Sequence, residues 1–580
     1  MSFLLNLKSA HTLKDMAHIL GYEPKMLSYI LYKLPESRKY VSFEIDKKGG
    51  GKRLIEAPNP QLKKLQRRLC NILTLCESEL SQESNLNILA HGFRTGHSIQ
   101  TNAKEHKSKR FVLNFDIKDF FPSINFGRVR GFFLKNNDFL LDENIATIIA
   151  QIACYSGHLP QGSPTSPIIS NLIAHILDVR LVRVAKKYSC TYSRYADDIT
   201  FSTNLKDFPL DLAKHDPDNP SLLTLGNIIE ANILSSGFHI NHNKTRLRYK
   251  DRRQIVTGLV VNKKVNVRNE YYRSARAMLH SYFKTGEYMI PSKISPIDIC
   301  GLTPINERLT SLTRLEGILS HIFYIRNYSD IRSLRDKQDH KTATWNLYRD
   351  FIYYKYFGAL EKPIIVCEGP TDSIYLKSAL KNLYNDYPEL IKKINEKYTF
   401  KISFLKYSKN IKELLHLNGG TGEISSFVGH YASMAKLYHI WNPKHPVIII
   451  TDNDGTGSNA ASKVFSSVTK NSKTSRPTIN DNLDFYYVTH NLYLVKTPHL
   501  EKKKETIIED FFDPDLLKTK VNGKEFSSDN KANSEQYYSK TIFAEKVVAK
   551  NIDSINFDGF KAILKRLVMA IDDYSKVISS

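Results

Sequence analysis

The residues with the clearest chemical potential are acids, and they fall into two sets. Asp197 and Asp198 are adjacent, in Tyr195-Ala196-Asp197-Asp198. Tyr192, Arg194, Ile199 and Phe201 flank them in alternation, which predicts a hairpin over 190–202 with both acids at its tip. Neighbouring carboxylates repel, so such a tip is costly unless a cation sits on it. Upstream, Phe111-Val112-Leu113-Asn114-Phe115-Asp116 is a short apolar run ending in an acid, the pattern of a strand that delivers a carboxylate at its end. Carboxylates of this kind bridge two Mg²⁺ ions about 3.5–4 Å apart, one ion activating a hydroxyl and the other steadying a leaving pyrophosphate. The second set is Glu368, Asp372, Asp452 and Asp454. Pro363-Ile364-Ile365-Val366-Cys367 and Val447-Ile448-Ile449-Ile450-Thr451 precede them. Continuous apolar runs of that length predict strands of a parallel sheet covered on both faces. Ligands gather at the carboxyl ends of such strands. Glu368, Asp452 and Asp454 are therefore expected to converge on Mg²⁺, with Asp372, on a helix starting near Thr371, as a further ligand.

Positioning two such sets takes more than one core, and 580 residues are enough for two or more domains. The chain is 41% hydrophobic and 24% charged, ordinary for a globular protein. Its 83 Lys and Arg against 59 Asp and Glu give a formal charge of +24. Such an excess favours a polyanionic partner, because neutralising phosphates releases condensed counterions. The six cysteines contain no C-x-x-C pair, which argues against a zinc site or a disulfide framework. No apolar run reaches the roughly 18 residues of a membrane span, and a cytoplasmic protein without a membrane partner is expected. Residues 1–45 read as helical. Lys47 to Arg53 is a glycine-rich turn between two strands, and 61–80 has helical spacing with a basic outer face. Residues 331–360 carry few apolar anchors at their start and read as a linker. A last amphipathic helix is expected over about 559–571.

Four motifs arrive in an order that resembles the reverse transcriptases. Asp116 opens F-D-I-K-D-F-F, Leu159-Pro160-Gln161-Gly162-Ser163-Pro164 is similar to the family's nucleotide-positioning loop, Tyr195-Ala196-Asp197-Asp198 to its catalytic box, and Gly237 followed by Lys244 to the next motif. The resemblance implies a right-hand polymerase of fingers, palm and thumb over residues 1–330. It assigns two Mg²⁺ to Asp116, Asp197 and Asp198. It also assigns deoxynucleotide contacts to Lys52, Arg53, Arg94, Phe121, Gln161, Gly162 and Lys244, with Phe121 excluding a 2′-hydroxyl. Asn102-Ala103-Lys104-Glu105-His106 and Val256-Thr257-Gly258 resemble two motifs of retron reverse transcriptases. That likeness implies a cognate structured noncoding RNA as template and 2′-hydroxyl primer, a branched RNA–DNA product (msDNA), and host ribonuclease H to remove template. RNA contacts are expected at Asn102, His106, Val256, Thr257 and Gly258. In the thumb candidate, 266–282, they are expected at Arg268, Arg273 and Arg276, with Tyr272, Ala275 and Leu279 facing the protein. Glu368-Gly369-Pro370-Thr371-Asp372 and Asp452-Asn453-Asp454 resemble the Toprim fold, over about 361–515. In that family the glutamate acts as general acid/base and the aspartates hold one or two Mg²⁺. The expected whole is α+β: a polymerase followed by an α/β nuclease-like effector, in antiphage defence, with 516–580 an extension of unknown role. The alternative is an intron or mobile-element reverse transcriptase with a non-catalytic, phosphate-binding Toprim domain.

Overall fold

The computed structural model describes residues 2–46, 51–84, 89–215, 223–290, 308–328, 330–415, 417, 421–453, 483–501, 503, 505–528 and 533–579. The contacts among them divide the chain into two compact units. The first contains Met1–Arg273 and Tyr324–Asp330; the second contains Ser274–Met289, Asn306–Phe323 and Ile331–Ser580.

In the first unit, β1 (Tyr40–Asp46) and β2 (Lys52–Pro58) form the expected antiparallel hairpin. Helix α1 (Pro60–Ser84) follows, burying Leu62, Leu65, Leu69, Ile72, Leu73 and Cys76 on one side. Helix α2 (Ile99–Glu105) is started by a capping box in which the Ser98 and Thr101 side chains satisfy each other's backbone N–H groups. The central sheet contains β3 (Phe111–Lys118), β4 (Thr191–Tyr195), β5 (Asp198–Thr203) and β6 (His239–Tyr249), in the order β4-β5-β3-β6, all antiparallel. Helix α3 (Ser166–Lys187) supports it, and Ile168, Ile169, Leu177 and Leu181 join Phe115, Ile199 and Phe201 in one core.

The second unit takes in the last part of α4 (Asn269–Thr285) and most of α5 (Leu312–Tyr328). The segment expected as a linker is not one. It forms α6 (Ala343–Tyr353) and a continuing turn, with Trp345, Tyr348, Phe351, Tyr353 and Phe357 buried. The polar face of 331–350 masks an aromatic stripe that a composition reading averages away. Tyr282 and Phe283 of α4 pack edge-on against Tyr354 and Tyr438 in the same aromatic cluster. The sheet is built from β7 (Ile364–Cys367), β8 (Ser403–Phe404), β9 (Val447–Thr451), β10 (Tyr486–Thr489) and β11 (Leu492–Lys496), in the order β8-β7-β9-β11-β10. Its first four strands are parallel and β10 is an antiparallel edge. Helix α7 (Asp372–Asn382) follows β7, and α8 (Thr421–Ala435) precedes β9. Residues beyond 515 are part of this core. Phe543, Val548, Phe557, Phe560, Ile563, Leu564 and Leu567 are buried with Ile365, Ile448 and Val495, and the last helix, α9, runs Lys561–Ser579.

Candidate active sites and nucleic-acid contacts

The register of the central sheet builds the first site. Asp116 and Asp198 are direct partners across β3 and β5, so their side chains share one face of the sheet. Asp197 sits on the two-residue turn between β4 and β5, and its carbonyl accepts from the Ile117 N–H at 3.0 Å. Ala196 adopts a left-handed φ of 56°, which costs a residue with a Cβ about 1–2 kcal/mol. Arg194 holds the turn there. Its guanidinium, fully buried, donates to the Ala196 carbonyl at 3.0 Å and grips Asp178 through Nε and Nη2, each at 2.7 Å. Gly92 packs beneath the turn, where a Cβ would lie 2.6 Å from the Ala196 nitrogen.

The crowding of acids is visible in their proton affinities. Burial, then the charge of Asp116, pushes Asp197 up, while Lys244 and Arg53 pull it back down. Desolvation in the cleft, then the hydrogen bond and charge of Asp116, pushes Asp198 well above its ordinary value, although its outer edge is exposed. Lys244 Nζ is bonded to Asp116 Oδ2. It reaches there because the β3–β6 register shifts between Asn114 and Asp116, giving β6 extra residues around Lys244. Among the described residues no three His, Cys, Asp or Glu side chains are set around one point as a metal shell. The donor chemistry nevertheless fits Mg²⁺: hard carboxylate oxygens only, crowded enough to bind protons in place of a cation.

The remaining sequence-derived nucleotide contacts separate. The Arg53 charge reaches Asp197. Lys52 lies on the same hairpin in an exposed pair with Glu44, 2.9 Å. Phe121 is half-buried against Phe93 and Phe120. The loop bearing Gln161 and Gly162 docks on β2, where the Gln161 carbonyl accepts from the Glu56 N–H at 2.8 Å. Gly162 has φ 132°, and a Cβ there would meet the Glu56 oxygen at 2.6 Å. Arg94 does not join them. Its Nη2 donates to Ser81 Oγ at 2.7 Å and Nη1 lies 3.9 Å from Glu77, so its charge is committed to α1.

The expectation of RNA contact at Asn102 and His106 is corrected. Both are buried, and His106 bridges the Ser202 and Ser193 hydroxyls at 2.7 Å each while Asn102 accepts from Ser193 at 2.6 Å. They latch α2 behind the β4–β5 hairpin. Val256 is also buried, in a short hairpin of Ile255–Val256 with Leu259–Val260. Its turn residues Thr257 and Gly258 do reach a cleft. This cleft, about 270 Å³, is lined by them with Asn114, Asp198, Thr200, Arg246, Arg248 and Ile255. On α4, Ala275 and Leu279 are buried and Arg273 and Arg276 are exposed, while Arg268, just before the helix, is half-buried. Tyr272 is half-buried beneath the Arg326 guanidinium, 3.8 Å from its ring centre.

The second site lies at the carboxyl ends of β7 and β9. The Asp452 N–H faces Glu368 Oε2 at 3.4 Å, and Asp452 Oδ1 accepts from Ile508 at 2.9 Å. Asp372 Oδ2 accepts from the Gly369 N–H at 2.7 Å. Asp454 lies outside the described residues. Burial and neighbouring acids push Asp452 up to about 8, and burial lifts Asp372 to about 6. Glu509, in Ile507-Ile508-Glu509-Asp510, is a fourth acid there, almost fully buried and acting on both aspartates. Lys540, which no motif marks, salt-bridges Glu509 at 3.0 Å. These all-oxygen donors again suit Mg²⁺.

The first unit has the fold of the reverse-transcriptase class. Residues 45–268 match the family model described as reverse transcriptase (RNA-dependent DNA polymerase), and 363–480 match the Toprim domain. The retron Mx65 reverse transcriptase of Myxococcus xanthus is 35% identical, over 46% of this chain and 62% of that protein. The retron Mx162 enzyme of the same organism is 34% identical, over 48% and 59%. The retron Ec86 reverse transcriptase of Escherichia coli is 32% identical, over 48% of this chain and 80% of that protein. The chain belongs to the retron reverse transcriptase family and carries a Toprim domain. It spans only about three-fifths of the two Myxococcus proteins. A solved apo telomerase from Candida tropicalis aligns with a TM-score of 0.28 at 15% identity, over 40% of this chain and 56% of that one, too slight a likeness to carry an argument. Among the described residues no helix is long and apolar enough to cross a membrane.

Proposed function

We propose that the chain is an RNA-directed DNA polymerase that copies a cognate structured noncoding RNA from an internal 2′-hydroxyl, joined to a Toprim nuclease that acts in antiphage defence. The polymerase reading rests above all on Asp116 opposite Asp198, with Asp197 on the adjoining turn. Mg²⁺ at these carboxylates would acidify the attacking hydroxyl and neutralise the departing pyrophosphate. The chain's own residues do the rest. Arg53 and Lys52 hold the triphosphate. Phe121 excludes a ribose 2′-hydroxyl. Arg246 and Arg248, with Thr257 and Gly258, hold the priming strand in the cleft beside Asp198. Arg268, Arg273 and Arg276 read the folded RNA through its phosphates.

Purified protein given the RNA encoded beside its gene and the four deoxynucleotides should make DNA joined to RNA by a bond that resists 3′,5′-specific cleavage. Asp197→Asn should make none. DNA synthesis by that variant, or a product released by 3′,5′-specific cleavage, would sink the assignment. For the nuclease, Glu368 acts as general acid/base, and Asp372, Asp452 and Asp454 hold metal. Unchanged nuclease activity and phage restriction in Glu368→Ala would remove the effector role.

A further inference from the structure

The cleft beside Asp198 is built on the same face of the central sheet as the acids. On β3, Asn114 lies one same-face step from Asp116, about 7 Å along the strand. Its cross-strand partners are Thr200 on β5 and Arg246 on β6, and Val112, a further step away, pairs with Arg248. The face that carries Asp116 and Asp198 at one end therefore carries two guanidinium groups beyond them. Asp198 is the one carboxylate among the residues that line the cleft. Arg246 and Arg248 are exposed, and among the described residues neither is paired with a carboxylate; Arg246 Nη1 donates to the Thr245 carbonyl at 2.7 Å.

The wall formed by residues 255–258 is fixed by polar bonds. Asn114 accepts from the Thr200 hydroxyl at 2.9 Å and donates through Nδ2 to the Ile255 carbonyl at 3.0 Å. Thr257 and Gly258 turn with left-handed φ values of 45° and 82°. That conformation is rare for a β-branched residue, and the Thr257 hydroxyl anchors it by donating to the Ile99 carbonyl on α2 at 3.1 Å. Helix α2 is in turn latched to the β4–β5 hairpin through Asn102 and His106. The N-A-x-x-H and V-T-G segments thus brace one wall of the cleft. A Cβ added at Gly258 would meet nothing within 4 Å, so the backbone there is open to a ligand.

A strand that starts DNA from an internal 2′-hydroxyl differs from an ordinary primer in one group. Its ribose keeps a phosphodiester on the adjacent 3′-oxygen, where an ordinary primer ends in a free hydroxyl. The 2′ start therefore brings an added negative charge close to Asp198, and a cation beside it offsets the repulsion. We propose that Arg246 and Arg248 form a subsite for the 3′-phosphate of the priming ribose, so that the cleft selects a 2′-hydroxyl start; this rests on the polymerase reading above. Asn114 and the Thr257–Gly258 turn border the sugar. In the step itself the 2′-oxygen bonds to the α-phosphorus of the deoxynucleotide. The bond from that phosphorus to the bridging oxygen breaks, pyrophosphate leaves with the electron pair, and the hydroxyl proton passes to water. The 3′-phosphate keeps its charge throughout, which suits a fixed guanidinium fork.

The test supplies the full chain with the RNA encoded beside its gene, the four deoxynucleotides and Mg²⁺. Product sequencing on the intact RNA locates the branch nucleotide. The same RNA is then supplied nicked on the 3′ side of that nucleotide, with the upstream piece ending in a 2′-hydroxyl and either a 3′-phosphate or a 3′-deoxy carbon. Wild type should start on the 3′-phosphate end at least about tenfold faster than on the 3′-deoxy end, the scale of one hydrogen bond to a charged group. Arg246→Met combined with Arg248→Met, both on the surface, should bring the two rates together. Equal use of the two ends by wild type, a comparison that needs no variant, overturns the subsite. So does a preference for the phosphate that survives in the double variant. No branched DNA from the intact RNA would instead overturn the polymerase reading, and the subsite with it.

Discussion

Asp116 raises the proton affinity of Asp197 and Asp198, Asp197 adds to that of Asp198, and Lys244 offsets part of the repulsion. Its charge pulls both Asp197 and Asp198 down. Lys244→Met should therefore let those carboxyls hold protons to higher pH. The acidic limb of the polymerase pH profile should move upward, measured as deoxynucleotide incorporation from pH 5 to 8 at saturating Mg²⁺; an unmoved limb would count against this role. His106 gives a stability prediction. Burial lowers its folded-state pKa to about 3, below the ordinary 6.5. The unfolded chain binds the proton first, so the histidine's contribution is complete above pH 6.5 and declines as pH falls toward 3. The slope should approach about 1.4 kcal/mol per pH unit. His106→Gln should be less stable at pH 7 but lose less on acidification, read from denaturant midpoints. The adjacent aspartates were legible because they stand in an ordered series of motifs with Asp116 and Gln161-Gly162; a lone Asp-Asp pair is most often a solvated turn. The burial of Asn102 and His106 was not legible, since polar side chains in a short motif look the same whether they face RNA or a neighbouring strand.

The β4–β5 hairpin is held in a strained turn by a buried ion pair, so the element and its catalytic geometry can be separated. Arg194→Met alone leaves Asp178 buried without its partner and should cost about 3–5 kcal/mol. Adding Asp178→Leu should recover much of that stability, because an apolar pair of similar size avoids the desolvation of both charges. Polymerase activity should stay low in the double variant, since the donor to the Ala196 carbonyl remains absent. Recovery of activity along with stability would show that Arg194 serves packing alone. The hairpin itself was readable from alternation around its acids. The brace was not, because Asp178 and Asn171, whose Oδ1 accepts from Arg194 Nη1 at 3.3 Å, come from α3, and nothing in local periodicity links a helix to a turn it supports.

At the scale of the molecule, the C-terminal residues are the largest departure from the reading by composition. Polar, lysine-rich sequence between 516 and 540 suggests an exposed loop, yet Tyr538 and the residues after it complete the core beneath the β7–β11 sheet. Arg566 Nη1 donates to the Lys496 carbonyl at 2.8 Å, and the Tyr493 hydroxyl donates to Asp573 at the same distance. Each large apolar side chain buried there contributes about 1.5–3 kcal/mol. Deleting 516–580 should therefore abolish cooperative unfolding of the second unit and expose it to limited proteolysis. A second unit that still unfolds cooperatively after the deletion would refute its structural role. The same deletion removes Lys540 from the acidic site, so Lys540→Met in the full chain is needed to separate charge from packing.

By itself the sequence determined which carboxylates could do chemistry: the Asp197-Asp198 tip, the acid ending β3, and the Glu368 and Asp452 strand ends are local patterns, written in residues close together along the chain. It also determined the strands that carry them, because burial on one or both faces imposes a period that residue types reveal. Only the tertiary structure decided which of the other polar residues meet those acids. Lys244 depends on an irregular strand register, Glu509 and Lys540 on how distant segments close over β9, and Arg94, Asn102 and His106 on being turned inward. Pairings of this kind join residues tens to more than a hundred positions apart, and their energy comes from burial and charge in the folded state, which no local pattern encodes.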